Sequence, residues 1–207
     1  MTDVAIVVAG YLLGSVPFGY LIPRLVRGED VRQRGSGNVG ASNVWRVYGR
    51  SLGVPVALLD VAKGFVPAAL GLWLGGDWVG VLAGAAAMVG HARPVFLGFS
   101  KGGKMVATAG GAFLGVAPLV GAAGAGVWIL VFALTRYSSV ASVTAAGSLA
   151  FWAWLFGYPW SVIAFGGAAG VAVAFLHRAN IARLARGEES RFELRRRRSD
   201  ATRAASP

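Results

Sequence analysis

Three segments far apart in the chain carry side chains suited to gripping phosphate. The first is Arg34-Gly-Ser-Gly-Asn-Val-Gly-Ala-Ser-Asn-Val-Trp-Arg46. Its glycines let a backbone wrap closely round a ligand. Ser36, Asn38, Ser42 and Asn43 offer hydrogen bonds, and the Arg46 guanidinium matches a phosphate bidentately. The plainer reading is a polar turn followed by an amphipathic surface helix. The second segment is Gly98-Phe-Ser-Lys-Gly-Gly-Lys104. A Gly-rich loop feeding a helix N-terminus presents backbone N–H groups to an anion. Lys101 and Lys104 add charge to Gly102 and Gly103. The spacing also satisfies the Walker A pattern. Met105, however, stands where Mg²⁺ needs Ser or Thr, and no strand precedes it, so nucleotide hydrolysis is disfavoured. The third segment is His177-Arg-Ala-Asn-Ile-Ala-Arg-Leu-Ala-Arg-Gly-Glu-Glu189. His177 and Asn180 are three apart and share one face of a helix. His177 reads as a general base, a phosphate donor or a polar end-stop, and its type alone does not choose.

Asp60 and Lys63 sit three apart inside an apolar run. Ionisable groups there are costly and usually functional, and a mutually neutralised pair near the inner interface is the alternative. Ser139 and Ser142 open another run, where N-capping would account for them. The absence of Cys excludes disulfides, thiolate metal sites and a thiol nucleophile. No residue pattern implies a metal or another cofactor.

Lipid must be the solvent of the elements that hold these segments. The chain is 56% hydrophobic and only 14% charged, with mean hydropathy +0.60, whereas a soluble domain is about a quarter charged. A crossing needs about 20 apolar residues. The candidate runs are 4–22, 52–74, 78–89, 105–117, 119–134, 140–156 and 160–176. The fourth and fifth flank Pro118 and are either two short helices or one broken one. No basic segment precedes the first run and no small-residue cleavage pattern ends it, so it reads as a retained helix.

Charge separates seven crossings from six. Lys and Arg follow the first run (Arg24 to Arg50), the third (Arg93, Lys101, Lys104), the fifth (Arg136) and the last (Arg178 to Arg203). The turns at Gly75-Gly76-Asp77, Pro118 and Gly157-Tyr158-Pro159 carry none. Positive loops stay in the cytoplasm. Seven crossings with the N-terminus outside put every basic loop inside, whereas fusing the fourth and fifth runs would strand Arg136 or the tail. The expectation is an all-α, polytopic bundle of seven transmembrane helices over 1–187. A cytoplasmic, Arg-rich, disordered tail is expected over 188–207. The net charge of +11 then points to anionic lipid or an anionic substrate and not to nucleic acid.

Taken in order, these motifs resemble the PlsY family of bacterial acyl-phosphate:glycerol-3-phosphate acyltransferases. The likeness rests on residues 35–46, on Gly90-His91 with Pro94-Val-Phe-Leu, and on Gly102-Gly-Lys104 before Val106-Ala-Thr108. It extends to His177-Arg-x-Asn180-Ile-x-Arg183-Leu with Gly187-x-Glu189, Gly14-Ser-Val-Pro-Phe-Gly19, Asp60-x-x-Lys63-Gly64 and Arg136-Tyr-x-Ser-x-x-Ser142. The second motif departs from the family's Phe-Lys-Gly-Gly-Lys-Gly: one residue is inserted after Phe99, and Met105 replaces a Gly. Arg93 stands where an aromatic is common.

The resemblance implies a seven-helix enzyme of the bacterial cell (inner) membrane with its active site at the cytoplasmic face. It implies acyl transfer from acyl phosphate to the 1-hydroxyl of glycerol 3-phosphate, the first step of phospholipid synthesis, with no cofactor. Carried over as site positions are Ser36, Arg46, Lys104, Ser142, His177, Asn180 and Glu189. Asn38, Asn43, Lys101, Gly102, Gly103 and Ser139 join them as substrate-binding candidates. The expected partners are the bilayer, both substrates and a soluble acyl-phosphate-forming enzyme. The chemistry is sensible on its own terms. An acyl phosphate has a good leaving group, so what remains is to position two anions and remove a hydroxyl proton. The departing phosphate or His177 takes that proton. Neither His91 nor His177 has the Asp five residues on that marks the other large glycerolipid acyltransferase family. The rival reading is a transporter of a phosphorylated solute.

Overall fold

The computed structural model describes residues 1–192. The stretch Arg195-Arg-Arg-Arg198 and the rest of the expected disordered tail from 193 onward lie outside the described residues. Every regular element among the described residues is helical: α1 Thr2–Gly14, α2 Phe18–Arg27, α3 Ala41–Tyr48, α4 Arg50–Ala92, α5 Val106–Val116, α6 Pro118–Thr135, α7 Ser138–Leu155, α8 Trp160–Leu176 and α9 Arg178–Ala185.

Three breaks, at Pro17, Gly76 and Pro118, set out the first five expected runs. The first is broken into α1 and α2, because Pro17 has no N–H to donate and disfavours helical geometry at Val16. The second and third are continuous in α4 but reverse at Gly76, whose φ of 78° and ψ of −171° suit only glycine. Gly71 backs onto Gly80 and Gly84 onto Ala68, so the halves of α4 run antiparallel. The pair flanking Pro118 is two helices: Pro118 takes the first position of α6, where its missing N–H costs nothing.

Packing relies on small residues, as it must where lipid gives helices no hydrophobic reason to meet. Gly10 lies against Ala83 and Gly14 against Ala87, which runs α1 parallel to the second half of α4. Gly166 meets Ala150 and Gly170 meets Ala146, an antiparallel α7–α8 pair. Phe113 of α5 is fully buried and stacks on Phe165 of α8 at 4.5 Å. Large apolar side chains such as Ile129, Leu130, Val171 and Phe175 point outward.

Among the described residues, four helices are long and apolar enough to cross a membrane: Thr2–Arg27, Arg50–Leu97, Pro118–Thr135 and Ser138–Leu155. The pair Trp160–Leu176 and Arg178–Ala185, bent by 59°, makes a fifth if counted as one. At about 1.5 Å per residue, the 11 residues of α5 are too few for a hydrocarbon core about 30 Å thick.

Asp60 and Lys63 are 1% and 2% exposed, so their charges demand partners. Lys63 Nζ lies 2.8 Å from Asp60 Oδ1 and donates to Val16 O at 2.9 Å. The pair neutralises itself and also ties α4 to the break between α1 and α2. His91 Nδ1 lies 3.6 Å from the same carboxylate.

Candidate active site

The glycines of the second motif work otherwise than expected. Gly102 N–H donates to Ala92 O and Gly103 N–H to His91 O, both at 3.0 Å. Their amides are therefore spent on the end of α4 and do not face a ligand. The glycines are needed for closeness, since a Cβ on Gly103 would collide with the His91 imidazole. What the loop delivers is Lys104 and the free N–H groups at the start of α5. Met105, the residue in the family's Gly position, adopts φ 68°.

Lys104 reaches across to the third motif, and its Nζ donates to Asn180 Oδ1 at 2.5 Å. With that oxygen committed, the Asn180 amide nitrogen donates to Glu189 Oε1 at 2.7 Å. Ser139 Oγ donates to the same carboxylate oxygen at 2.8 Å, and Arg183 Nε donates to Oε2 at 2.9 Å. Glu189 thus ties together α7, α9 and, through Asn180, the start of α5. Burial pushes its carboxyl up, but the hydrogen bonds from Asn180, Ser139 and Arg183 outweigh that and hold it below the usual range. Burial pulls the Lys104 ammonium down to about 8, against the opposing pull of Glu189. Lys104 remains a cation at neutral pH that loses its charge within reach of ordinary assays.

The first motif joins from the other side. Asn38 Nδ2 donates to Gly102 O at 3.2 Å, so the two loops meet. Asn43 is buried and organises its own loop: it accepts from Ser36 N–H at 2.9 Å and donates to Arg34 O and Asn38 O. Both amides are therefore scaffold of the loop. Ser36 itself is exposed, as is Arg46, which projects from α3. The Arg46 charge is near enough to help depress Lys104.

His177 ends α8, buried, and Nδ1–H donates to Val173 O at 2.8 Å. That bond fixes the tautomer and leaves Nε2 as an acceptor. Ser142 lies deeper in α7: its hydroxyl donates to Ser138 O and accepts from Trp128 Nε1. Lys101 is exposed and makes no ion pair among the described residues. Beside Ser139, an apolar cleft of about 140 Å³ opens between α7 and α9, lined by Val140, Val143, Thr144, Ile181 and Leu184. No group of three or more His, Cys, Asp or Glu among the described residues could hold a metal ion. Sequence reasoning missed Phe192, which packs against Trp45 and Arg46. Its only signal was an aromatic residue set in a charged stretch.

Cationic side chains gathered round Lys104 beside a small apolar cleft, on a helical bundle whose outward side chains are apolar, define an integral membrane protein. The comparisons narrow that class. The glycerol-3-phosphate acyltransferase family profile matches residues 4–187. The glycerol-3-phosphate acyltransferase of Desulforudis audaxviator (strain MP104C) is 47% identical over 186 residues, 90% of this chain and 93% of its own. That of Aquifex aeolicus (strain VF5) is 44% identical over 194 residues, 93% of this chain and 100% of its own. Two crystal structures of PlsY (YgiH), an integral membrane glycerol 3-phosphate acyltransferase, superpose with TM-scores of 0.89 for the glycerol 3-phosphate form and 0.85 for the lysophosphatidic acid form. They are 43% and 42% identical, covering 93% of this chain and 96% of theirs. This chain belongs to the glycerol-3-phosphate acyltransferase family: it is an acyltransferase of phospholipid synthesis, embedded in a membrane.

Proposed function

We propose that the chain transfers an acyl group from acyl phosphate to the 1-hydroxyl of glycerol 3-phosphate, giving lysophosphatidic acid and phosphate. The observation that carries this reading is the junction of the Lys104–Asn180–Glu189–Ser139 network with the apolar α7–α9 cleft. A reaction between a water-soluble phosphate and a lipid-borne acyl group needs that junction. The two related structures, named for their glycerol 3-phosphate and lysophosphatidic acid forms, support the acceptor and the product.

Lys104 and Arg46 offset the repulsion between two phosphates brought within reach of each other. Ser36 and the free amides at the start of α5 add hydrogen bonds. Asn180 and Glu189 hold Lys104 in place, and Glu189 keeps the cluster from excess positive charge. Fixing both substrates in near-attack geometry supplies about 7–11 kcal/mol. The departing phosphate receives the hydroxyl proton, because it is already at the reacting carbon, while His177 offers Nε2 as the alternative acceptor. The acyl chain lies in the α7–α9 cleft. The bundle crosses the bacterial inner membrane seven times with this site at the cytoplasmic face. A soluble acyl-phosphate-forming enzyme supplies the donor there.

The donor is the decisive test. Purified protein given glycerol 3-phosphate should turn over with acyl phosphate and not with acyl-CoA, for which the described residues build no adenine and pyrophosphate site. Turnover with acyl-CoA at an equal rate, acyl phosphate being absent, would overturn the proposal. A transporter would instead accumulate labelled glycerol 3-phosphate in proteoliposomes without forming lipid.

A further inference from the structure

Beyond Gly187, where the family match ends, the chain does not leave the site. Residues 187–192 run back across it as a strap. Glu189 is held by Ser139, Asn180 and Arg183. Arg191 Nε donates to Tyr137 Oη at 3.2 Å. Phe192 N–H donates to Arg136 O at 2.8 Å, a carbonyl aimed by the left-handed φ of 61° at Arg136. The strap ends in a buried ring, with Phe192 only 7% exposed.

That ring fills the space between two elements far apart in the sequence, α3 and α6. It meets Phe132 of α6 edge-on, with centroids 5.5 Å apart, and Trp45 of α3 edge-on at 5.7 Å. The Arg46 guanidinium carbon lies 5.7 Å from its centroid, within cation–π range. Arg46 makes no ion pair among the described residues. It stands on the eight-residue α3, a helix too short to be rigid on its own. A long exposed side chain of this kind loses roughly 2 kcal/mol of rotamer freedom when a ligand orders it. A ring that already holds both the helix and the guanidinium reduces that loss.

We propose that Phe192 is a positioning residue: its ring seats α3 and pre-orients Arg46 over the phosphate site, acting through Arg46 and without touching substrate. The proposal rests on Arg46 binding a substrate phosphate, as argued above. It makes substrate affinity depend on a residue that lies beyond the family's matched region.

The test uses the full-length chain and a double-mutant cycle. Phe192→Leu keeps an apolar plug but removes the ring face, and Phe192→Tyr keeps the face. Phe192→Leu should raise KM roughly two- to fivefold for whichever phosphate substrate Arg46→Ala affects. It should leave kcat unchanged, with a protein that is still folded although its unfolding midpoint falls as the edge contacts to Phe132 and Trp45 are lost, and Phe192→Tyr should match the wild type. In an Arg46→Ala background, Phe192→Leu should add nothing, because the ring acts only through the guanidinium. If Arg46→Ala raises KM while Phe192→Leu does not, or if the two effects multiply, the positioning role is refuted and the site assignment stands. If Arg46→Ala itself changes no KM in a folded protein, the site assignment fails and the positioning role falls with it.

Discussion

At the residue scale, Lys104 is where the chemistry becomes measurable. Its ammonium is held down to about 8, chiefly by burial. In the free enzyme its charge is present below that pH and lost above it. Binding of a phosphate dianion needs the charge, so kcat/KM, which reports the free enzyme, should fall above pH 8 by about tenfold per unit. The fall should sit in KM, since a phosphate contact serves ground state and transition state alike. Lys104→Arg keeps a guanidinium that does not titrate in this range, so whatever activity it retains should lack the alkaline limb. An unchanged limb in Lys104→Arg would assign it to another group. The identity of this lysine was legible from its loop and charge. Its depressed ammonium was not, because that depends on which buried partners the fold brings to it. The same holds for Asn38 and Asn43. Their type suggested ligand contacts, but backbone takes up their amides: buried Asn43 serves its own loop, and Asn38 accepts from Gly40 and donates to Gly102 of the second loop.

At the element scale, apolar runs and prolines gave most helix positions. The separation of α5 from α6 at Pro118 was legible, whereas the break at Pro17 falls inside a run, 4–22, that was expected to be one helix; both follow from a missing N–H. The turn at Gly76 inside α4 was legible as the Gly75-Gly76-Asp77 turn between two apolar runs. The amides of Gly102 and Gly103 were not, because a Gly-rich loop ahead of a helix looks the same whether its N–H groups face a ligand or the neighbouring helix. The start of α5 poses a sharper question, since Met105 occupies a left-handed position with φ 68° while its side chain is 9% exposed in the core. Left-handed geometry costs a non-glycine residue about 1–2 kcal/mol. Deleting a buried methionine side chain costs about 2–5 kcal/mol. Packing therefore wins, and Met105→Gly should lower stability although it restores the family's residue. Met105→Ala loses the same side chain and keeps the strain, so it should be less stable still, the reverse of the order in a helix interior. Thermal unfolding in one detergent, with the three proteins side by side, reads the order directly. Alanine above glycine would mean that the strain is not there.

At the scale of the whole molecule, the proposed orientation follows from where charge and aromatic rings collect. The ends that meet at the site carry Arg46, Lys101, Lys104, Arg136 and Arg183. The opposite turns carry exposed Trp73, Trp78, Trp154 and Trp160, the residue type that settles at a membrane interface. A seven-crossing bundle with its N-terminus outside keeps every basic loop in the cytoplasm. It requires α5, with 11 residues, to count as a crossing. A short segment is accommodated by local thinning of the bilayer or by flanking residues that reach the interface, and the loop before α5 supplies Lys101 and Lys104. Reporter fusions after Gly28, Lys101, Ser138 and Arg198 should therefore read cytoplasmic, and fusions after Gly76, Pro118 and Pro159 external. The informative fusions bracket α5. If Lys101 and Pro118 read on the same side, α5 is re-entrant and α6 begins where it started. In that case Ser138 and the Arg-rich tail, separated by the two crossings α7 and α8, would both be forced outside. An external signal at Ser138 together with a cytoplasmic tail would end the seven-crossing proposal. It would also separate Ser139 from the face that holds Lys104, and so break the 2.8 Å bond from Ser139 to Glu189 on which the site assignment rests.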